Sequence, residues 1–305
     1  MNSIKKIIKR PSILVIVVVV YMLIGAISIL QKNPDQTTDQ VKATWVWDEK
    51  KIAKQPEEIV SFANEQDVNL IYVHVSSKHF SVQDYRSFIQ KASQKEIQVF
   101  ALGGDPRWAL TSNQKDLTSF ASKVKNYNQM VEPNEQFQGI HVDIEPYLLP
   151  SWKEDKESVM QQWMMNSVHL IEEAKQNTNL TVSGDFPFWI HKLNVPGKSM
   201  SLSQWMLNHY DSMTLMAYRN YADGNNGISQ IATPIVKEAD KQDKSVVIGV
   251  NIIDTDEGRH TTFYNSEPGH MSQEIKQLKH SFRNNRAFSG IAVHDYAHWK
   301  KKQSS

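Results

Sequence analysis

Short apolar runs rich in β-branched residues alternate with amphipathic stretches from about residue 44 to the end of the chain. These runs begin near Thr44, Asn69, Ile97, Gly139, Leu180, Ser212, Val246 and Gly290. Between them, apolar residues recur at helical spacing, as in the stretches 81–92 and 153–176. Strands that alternate with helices form parallel sheets, and eight such units predict a closed (β/α)8 TIM barrel. The alternative is an open doubly wound sheet, but no Gly-x-Gly-x-x-Gly turn follows the first run.

The predicted strands carry polar residues on one face. In the fourth run, His141, Asp143 and Glu145 share a face, and the residues that alternate with them are isoleucine or valine. The runs 69–76 and 290–296 alternate in the same way. A parallel strand covered on both faces is normally apolar throughout. The polar face therefore predicts a barrel interior that opens into an active site at the carboxyl ends of the strands.

A separate hydrophobic pattern precedes the barrel region. Residues 13–30 carry no charge and consist mainly of isoleucine, valine and leucine, and basic residues lie directly before them. A helix of this length approaches the thickness of a bilayer core and exceeds the apolar region of a cleavable signal peptide. The basic flank predicts a cytoplasmic amino terminus and an exported carboxyl-terminal domain.

We therefore expect a cell-membrane protein that crosses the bilayer once, with its barrel outside the cell. The expected segments are a basic cytoplasmic flank at 1–12, a transmembrane signal-anchor at 13–30, a linker at 31–43 and the barrel at 44–305. The small residues Ala26 and Ser28 resemble a cleavage site, which leaves removal of this segment and secretion as an alternative.

Composition and charge exclude several classes of function. The chain has 305 residues, no cysteine and a formal net charge of +1. Thiolate chemistry and disulfides are therefore excluded. Residues 1–33 hold basic but no acidic residues, so the remainder of the chain is slightly acidic. This charge argues against a nucleic-acid partner, which requires a basic excess. The remainder has about the length of one TIM barrel.

Asp143 and Glu145 are the strongest chemical signal. Two carboxylates on one face of a strand repel each other, and in a partly desolvated interior this repulsion raises one pKa. Glu145 is longer and nearer the strand end, so we expect it to be a protonated acid, whereas the deeper Asp143 is expected to stay charged. The structural alternative is that these carboxylates form an ion pair with an interior arginine or lysine.

The fourth run also resembles a known signature. The stretch 137–145, Phe-Gln-Gly-Ile-His-Val-Asp-Ile-Glu, is similar to the Asp-Gly-x-Asp-x-Asp-x-Glu motif of family-18 glycoside hydrolases, the chitinase-like barrels. The stretch 216–218, Met-Ala-Tyr, resembles the Met-x-Tyr motif of their sixth strand. The resemblance extends over residues 44–299 and identifies the chain as a divergent relative.

The resemblance implies retaining, substrate-assisted hydrolysis of a glycan that contains N-acetylhexosamine, without a cofactor. In that reaction the acetamido oxygen of the substrate attacks the anomeric carbon. Glu145 would protonate the leaving oxygen and later activate water, Asp143 would orient the acetamido group, and Tyr218 would bond to its carbonyl oxygen.

The sequence departs from the family at several positions. Gln138 and His141 replace the first two aspartates of the motif. Arg219 follows the Met-x-Tyr motif, and His294 stands where the family usually has a tryptophan. Substrate preference therefore need not follow that of the family.

Residues at the predicted carboxyl ends of the strands supply a candidate glycan site. Sugars stack on aromatic rings, and their hydroxyl groups bond to polar side chains. The candidate substrate-binding residues are Trp47, His74, Asp105, Trp108, His141, Tyr147, Asp185, Trp189, Arg219, His294 and Tyr296. From the predicted location alone, the partner would be peptidoglycan or another envelope polysaccharide.

Two other functions remain open from the sequence. The histidines and carboxylates of the predicted interior suit a metal-dependent hydrolase or deacetylase. The first run, Thr-Trp-Val-Trp, lacks the His-x-His pair of the metal-dependent amidohydrolase barrels, and we expect no metal. The altered motif also fits a non-catalytic glycan-binding pseudoenzyme. Retention of both Asp143 and Glu145 argues against it, because binding does not need a proton donor.

Overall fold

A computed structural model describes residues 40–76 and 79–303. The strands are β1 (Val41–Val46), β2 (Leu70–His74), β3 (Gln98–Gly103), β4 (Gly139–Asp143), β5 (Thr181–Pro187), β6 (Ser212–Met216), β7 (Ser245–Asn251) and β8 (Phe288–His294). The α-helices are α1 (Lys50–Lys54), α2 (Pro56–Glu65), α3 (Val82–Ser93), α4 (Gln114–Met130), α5 (Pro150–Glu154), α6 (Lys156–Lys175), α7 (Leu202–His209), α8 (Ile228–Lys241), α9 (His270–Ser281) and α10 (Tyr296–Gln303). Each run that the sequence predicts as a strand is a strand.

The strands form one closed parallel barrel in chain order, and β1 pairs with both β2 and β8. The predicted TIM barrel is therefore confirmed. The barrel closes where Val41 pairs with Gly290. A Cβ atom on Gly290 would lie 1.9 Å from the carbonyl oxygen of Val41, and its φ of 147° also requires glycine. The two end strands can therefore meet because this residue has no side chain.

Two layers of side chains hold the barrel together, as the alternation along the strands predicts. The aliphatic residues of β4, such as Ile140 and Val142, belong to the outer core between the strands and the helices. A smaller cluster fills the barrel interior, with Trp45, Tyr72 and Phe100 as its largest members. The inward face is therefore apolar where this cluster packs and polar toward the carboxyl ends of β4 and β8.

Side-chain caps fix the starts of two helices, α3 and α6, which follow the loops after β2 and β4. The Oγ of Ser81 accepts a hydrogen bond from the backbone of Asp84 at 3.3 Å and begins α3. The carboxylate of Asp155 accepts a hydrogen bond from the backbone of Ser158 at 3.1 Å and begins α6. Both helices agree with the predicted stretches to within three residues.

The amino-terminal boundary differs from the prediction. The first strand begins at Val41, so residues 41–43 belong to the barrel and not to the expected linker at 31–43. The charged side chain of Lys42 led to the prediction of a polar linker at this point. In the structure, the backbone nitrogen of Lys42 donates a hydrogen bond to the side chain of Asn69 at 2.9 Å, as part of the barrel. The predicted transmembrane segment at 13–30 lies outside the described residues. Within the described ranges, no helix is both long and apolar enough to cross a bilayer.

Candidate active site

Asp143 and Glu145 lie at the carboxyl end of β4, and the chain then turns into the short 3-10 helix Pro146–Leu148. Both residues are partly exposed at the mouth of the barrel. The backbone of Gly104, just after β3, packs directly on Asp143: a Cβ atom on this glycine would lie 2.1 Å from the Asp143 carbonyl oxygen. The position of Asp143 therefore depends on close backbone packing between β3 and β4.

The environment raises the pKa of both carboxyl groups. Burial raises the pKa of Asp143 well above its ordinary value, and the charges of Asp185 and Glu145 add to this shift. Burial also raises the pKa of Glu145, which a hydrogen bond from Tyr147 partly offsets. The direction of the Asp143 shift is opposite to the expectation that this residue stays charged, because burial and the charge of Asp185 both raise its pKa. The expectation of a protonated acid at Glu145 agrees with the direction of its pKa shift.

Tyr147 contacts Glu145, the candidate acid. Its hydroxyl group donates a hydrogen bond to Oε2 of Glu145. The ring of Tyr147 lies edge-on to the ring of Trp189, with centroids 5.0 Å apart. The structure therefore brings two of the predicted binding residues together beside Glu145.

Asp185 and His141 form a buried polar centre below Asp143. His141 is 0% exposed and Asp185 is 4% exposed. Nε2 of His141 lies 3.0 Å from Oδ2 of Asp185, and its Nδ1 lies 2.7 Å from the hydroxyl oxygen of Ser183. Trp45 donates a hydrogen bond from its indole to Oδ2 of Asp185 at 3.0 Å. The histidine that replaces a motif aspartate is thus held by β4 and β5 together.

Tyr218 lies just beyond β6 and faces the carboxylates. Burial raises the pKa of its phenol well above the ordinary value, and the charges of Asp185, Asp143 and Glu145 raise it further. This phenol therefore stays protonated and can donate a hydrogen bond. Its neighbour Arg219 donates a hydrogen bond from Nη1 to the Tyr218 carbonyl oxygen at 2.6 Å.

His294, at the end of β8, has a defined protonation state. The indole of Trp47 lies 3.0 Å from Nε2 of His294 and can only donate to it. His294 must therefore be neutral, with its proton on Nδ1. Burial lowers the pKa of His294, in agreement with a neutral ring. The ring also lies nearly parallel to that of Tyr218, with centroids 6.1 Å apart.

A polar cavity of about 380 Å³ lies at the carboxyl ends of β2 and β3. Three of the predicted binding residues line it, namely His74, Asp105 and Trp108. Nδ1 of His74 lies 3.2 Å from a carboxylate oxygen of Glu49. The carboxylate of Asp105 binds the guanidinium of Arg107. Indole and charged groups in one cavity suit a sugar, which presents apolar and hydroxyl faces.

Tyr296 does not belong to the site and is a correction to the prediction. It is 2% exposed and packs in the outer core, where its ring centroid lies 5.4 Å from that of Phe62. The alternation that predicted an inward side chain ends with β8 at His294, and Tyr296 begins α10. Because Tyr296 lies in a helix and not in a strand, its ring points into the outer core and not into the barrel interior.

The structure gives no support to a metal centre. In residues 40–76 and 79–303, no group of three or more histidine, aspartate or glutamate side chains could hold a metal ion. The interior histidines have other partners: His141 lies against Ser183 and Asp185, and His294 accepts a hydrogen bond from Trp47.

Sequence reasoning missed several residues that shape the site. Trp45 donates a hydrogen bond to Asp185, and its signal was available, because it has the same inward parity as Trp47, which directly follows β1. Glu49 and Glu257 lie in loops, where no periodicity assigns a direction to their side chains, so the sequence left Glu257 open between a solvated and a functional position. The charge of Glu257 nevertheless contributes to the raised pKa of Glu145.

Comparisons with known proteins place this barrel among solved structures. No protein-family profile matches the sequence, and no curated protein matches it. A GH18 chitinase from Pseudoalteromonas aurantia is 12% identical with a TM-score of 0.54, and the match covers 87% of this chain and 100% of that chain. A chitinase from Bacteroides thetaiotaomicron is 11% identical with a TM-score of 0.55, over 85% of this chain and 90% of the other.

A third structure, the PgaB (BpsB) glycoside hydrolase domain from Bordetella bronchiseptica, is 10% identical with a TM-score of 0.53. That match covers 87% of this chain and 96% of the other. At these identities the similarity concerns the fold. The fold that the resemblance to family-18 glycoside hydrolases implies is therefore confirmed: this chain has the barrel of these chitinases and of this glycoside hydrolase domain.

Proposed function

We propose that the protein is a glycoside hydrolase that cleaves a glycan containing N-acetylhexosamine, with retention of configuration. The observation that carries this proposal is the arrangement of Asp143 and Glu145 at the mouth of the barrel, where burial and neighbouring charges raise both pKa values. A carboxyl group that remains protonated nearer to neutral pH is what cleavage of a glycosidic bond requires. The shared fold with two chitinases and a glycoside hydrolase domain supports the same class.

In the proposed reaction Glu145 donates its proton to the leaving oxygen and afterwards takes a proton from the attacking water. The acetamido oxygen of the substrate attacks the anomeric carbon in the first step, so no enzyme carboxylate forms a bond to the sugar. Asp143 orients the acetamido group. The protonated hydroxyl group of Tyr218 donates a hydrogen bond to the acetamido oxygen. The cavity lined by His74, Asp105 and Trp108 offers room for a further sugar.

Reducing-end release from a panel of defined glycans tests this proposal. We expect the wild-type protein to release ends from N-acetylhexosamine oligomers and not from oligomers that lack the acetamido group. Proton NMR of the first product should show the starting anomeric configuration. Binding without any release across the panel would contradict hydrolysis and would favour the glycan-binding pseudoenzyme.

Tyr147→Phe should move the pH profile of this activity. The Tyr147 hydrogen bond lowers the pKa of Glu145 and opposes the effect of burial, so its removal raises that pKa further. Glu145 must be protonated to act as the acid, and activity is lost as pH rises through its pKa. The alkaline limb of kcat/KM should therefore shift to higher pH in the variant. An unchanged alkaline limb would contradict the role of Glu145 as the acid.

We further propose that residues 13–30 anchor the protein in the cell membrane, with the barrel outside. The uncharged length of this segment and its basic flank support this location. Full-length protein should sediment with membranes, and a variant that lacks residues 1–30 should not. External protease should digest the barrel of the full chain in intact cells. A full chain that remains in the soluble fraction would contradict the anchor, and a shortened chain in the medium would identify a cleaved signal peptide.

A further inference from the structure

Asp143 and Asp185 occupy the same level of the barrel on neighbouring strands. They are direct partners in the register of β4 and β5, two residues beyond the pair of His141 and Ser183. The His141 and Ser183 side chains meet at 2.7 Å inside the barrel, so the aspartates, which have the same parity, also point inward. Neighbouring strands lie about 4.8 Å apart. The two carboxyl groups are therefore side by side.

Each of these carboxyl groups has an enclosed oxygen without a donor. Oδ1 of Asp143 and Oδ1 of Asp185 find no hydrogen-bond partner in the part of the chain that the structure describes. Within those same residues, no lysine or arginine forms an ion pair with either aspartate. Two adjacent carboxylates whose enclosed oxygens have no donor between them are strongly unfavourable when both are ionised. One proton between the two oxygens would satisfy both.

Asp143 and Asp185 differ in the hydrogen-bond donors around them. Oδ2 of Asp185 accepts a hydrogen bond from the indole of Trp45 at 3.0 Å. A donor of this kind stabilises the ionised form of a carboxyl group. The enclosed Oδ1 of Asp143 has no such donor among the described residues. The negative charge of the pair therefore belongs on Asp185 and the proton on Asp143.

We propose that Asp143 and Asp185 share one proton, which Oδ1 of Asp143 carries and donates to Oδ1 of Asp185. Asp185 is then the positioning residue of Asp143, and it acts from the neighbouring strand β5. The pKa of Asp143 supports this arrangement, because burial is the first cause of its rise and the charge of Asp185 is the second.

The consequence for turnover rests on the proposed function. The shared proton holds the Asp143 carboxyl group in one orientation and limits the negative charge beneath the substrate. In Asp185→Asn the charged neighbour is absent and the amide can donate to Asp143, so Asp143 ionises at lower pH.

Other titratable groups also lie around the pair. They are Tyr72 from β2, His141 and Glu145 from β4, Tyr147 from the following turn, Tyr218 after β6, Glu257 from the loop after β7, and His294 from β8.

Carbon-13 NMR of protein labelled at the aspartate carboxyl carbons tests the proposal without any substrate. In the wild type, one aspartate carboxyl group should remain protonated at neutral pH, and its signal should be absent from Asp143→Asn. In Asp185→Asn, the pKa of Asp143 should fall by about one unit or more. Asp256→Asn, which changes an exposed loop carboxylate, should leave the protonated signal unchanged.

Two results would overturn the proposal. One is a wild type in which every aspartate is ionised at neutral pH, and the other is an Asp143 pKa that Asp185→Asn leaves unchanged. If Asp185→Asn does not fold, Trp45→Phe provides a second test. It removes the donor to Asp185 and should shift the Asp185 carbon signal towards its protonated value, whereas an unmoved signal would contradict sharing. If the enzyme is active but the NMR shows no shared proton, only this inference is contradicted. If the NMR shows the shared proton but no glycan is hydrolysed, only the proposed function is contradicted.

Discussion

Glu145→Gln should abolish turnover while leaving the glycan bound. A glutamine has nearly the same shape as glutamate but cannot donate the proton that the leaving oxygen needs. General acid catalysis contributes about 10²- to 10⁴-fold, so kcat should fall by about that factor. The dissociation constant of an N-acetylhexosamine oligomer should change little, because the amide can still accept the hydrogen bond from Tyr147. Reducing-end assays and titration calorimetry on the same preparation measure both quantities.

The matched control is Glu154→Gln, which makes the same chemical change on an exposed side chain of α5. Its kcat and its affinity should equal those of the wild type. Equal turnover in Glu145→Gln and in this control would contradict the assignment of the acid. A large loss of affinity in Glu145→Gln would instead make this residue a binding group.

Gly104→Ala should reduce both activity and stability. The new Cβ atom would lie 2.1 Å from the carbonyl oxygen of Asp143, so the end of β4 has to move. Overpacking of this kind costs about 1–3 kcal/mol of folding free energy. Displacement of reacting groups by about 1 Å can cost about 10²-fold in rate. Thermal unfolding and kcat, the latter measured well below the melting temperature, report the two effects separately.

Gly227→Ala is the matched control for this change. A Cβ atom on Gly227 would lie 2.9 Å from the carbonyl oxygen of Ala222, at the start of α8 and away from the carboxylates. This variant should lose stability but keep its kcat. If Gly104→Ala is destabilised and its kcat is unchanged, then the contact between Gly104 and Asp143 supports the fold but not the site.

The strands and their inward faces could be predicted from the sequence because both depend on local alternation. His141, Asp143 and Glu145 alternate with aliphatic residues over one strand, and the structure places the aliphatic side chains in the outer core. The barrel followed from the repetition of this pattern. Tyr296 was misplaced because alternation is informative only while the chain remains a strand.

The charge of Asp143 could not be predicted in the same way. It depends on Asp185, which lies 42 positions later in the chain and becomes its neighbour only through the register of β4 and β5. A sequence shows the carboxylate pair within one strand but not the pair across two strands. The partners of the loop residues Glu49 and Glu257 likewise depend on tertiary packing.

The aromatic cluster of Trp45, Tyr72 and Phe100 fills the barrel interior directly beneath the candidate site, where Trp45 bonds to Asp185 and Tyr72 stacks on His141. The site is consequently a bowl with a single opening. Under the proposed function, the glycan, the water that completes hydrolysis and both products would all pass through the same mouth. If the first product remains in place, it blocks the entry of water, so departure of the leaving-group sugar has to precede the second chemical step. The order of events in a turnover would then follow from the closed base of the barrel.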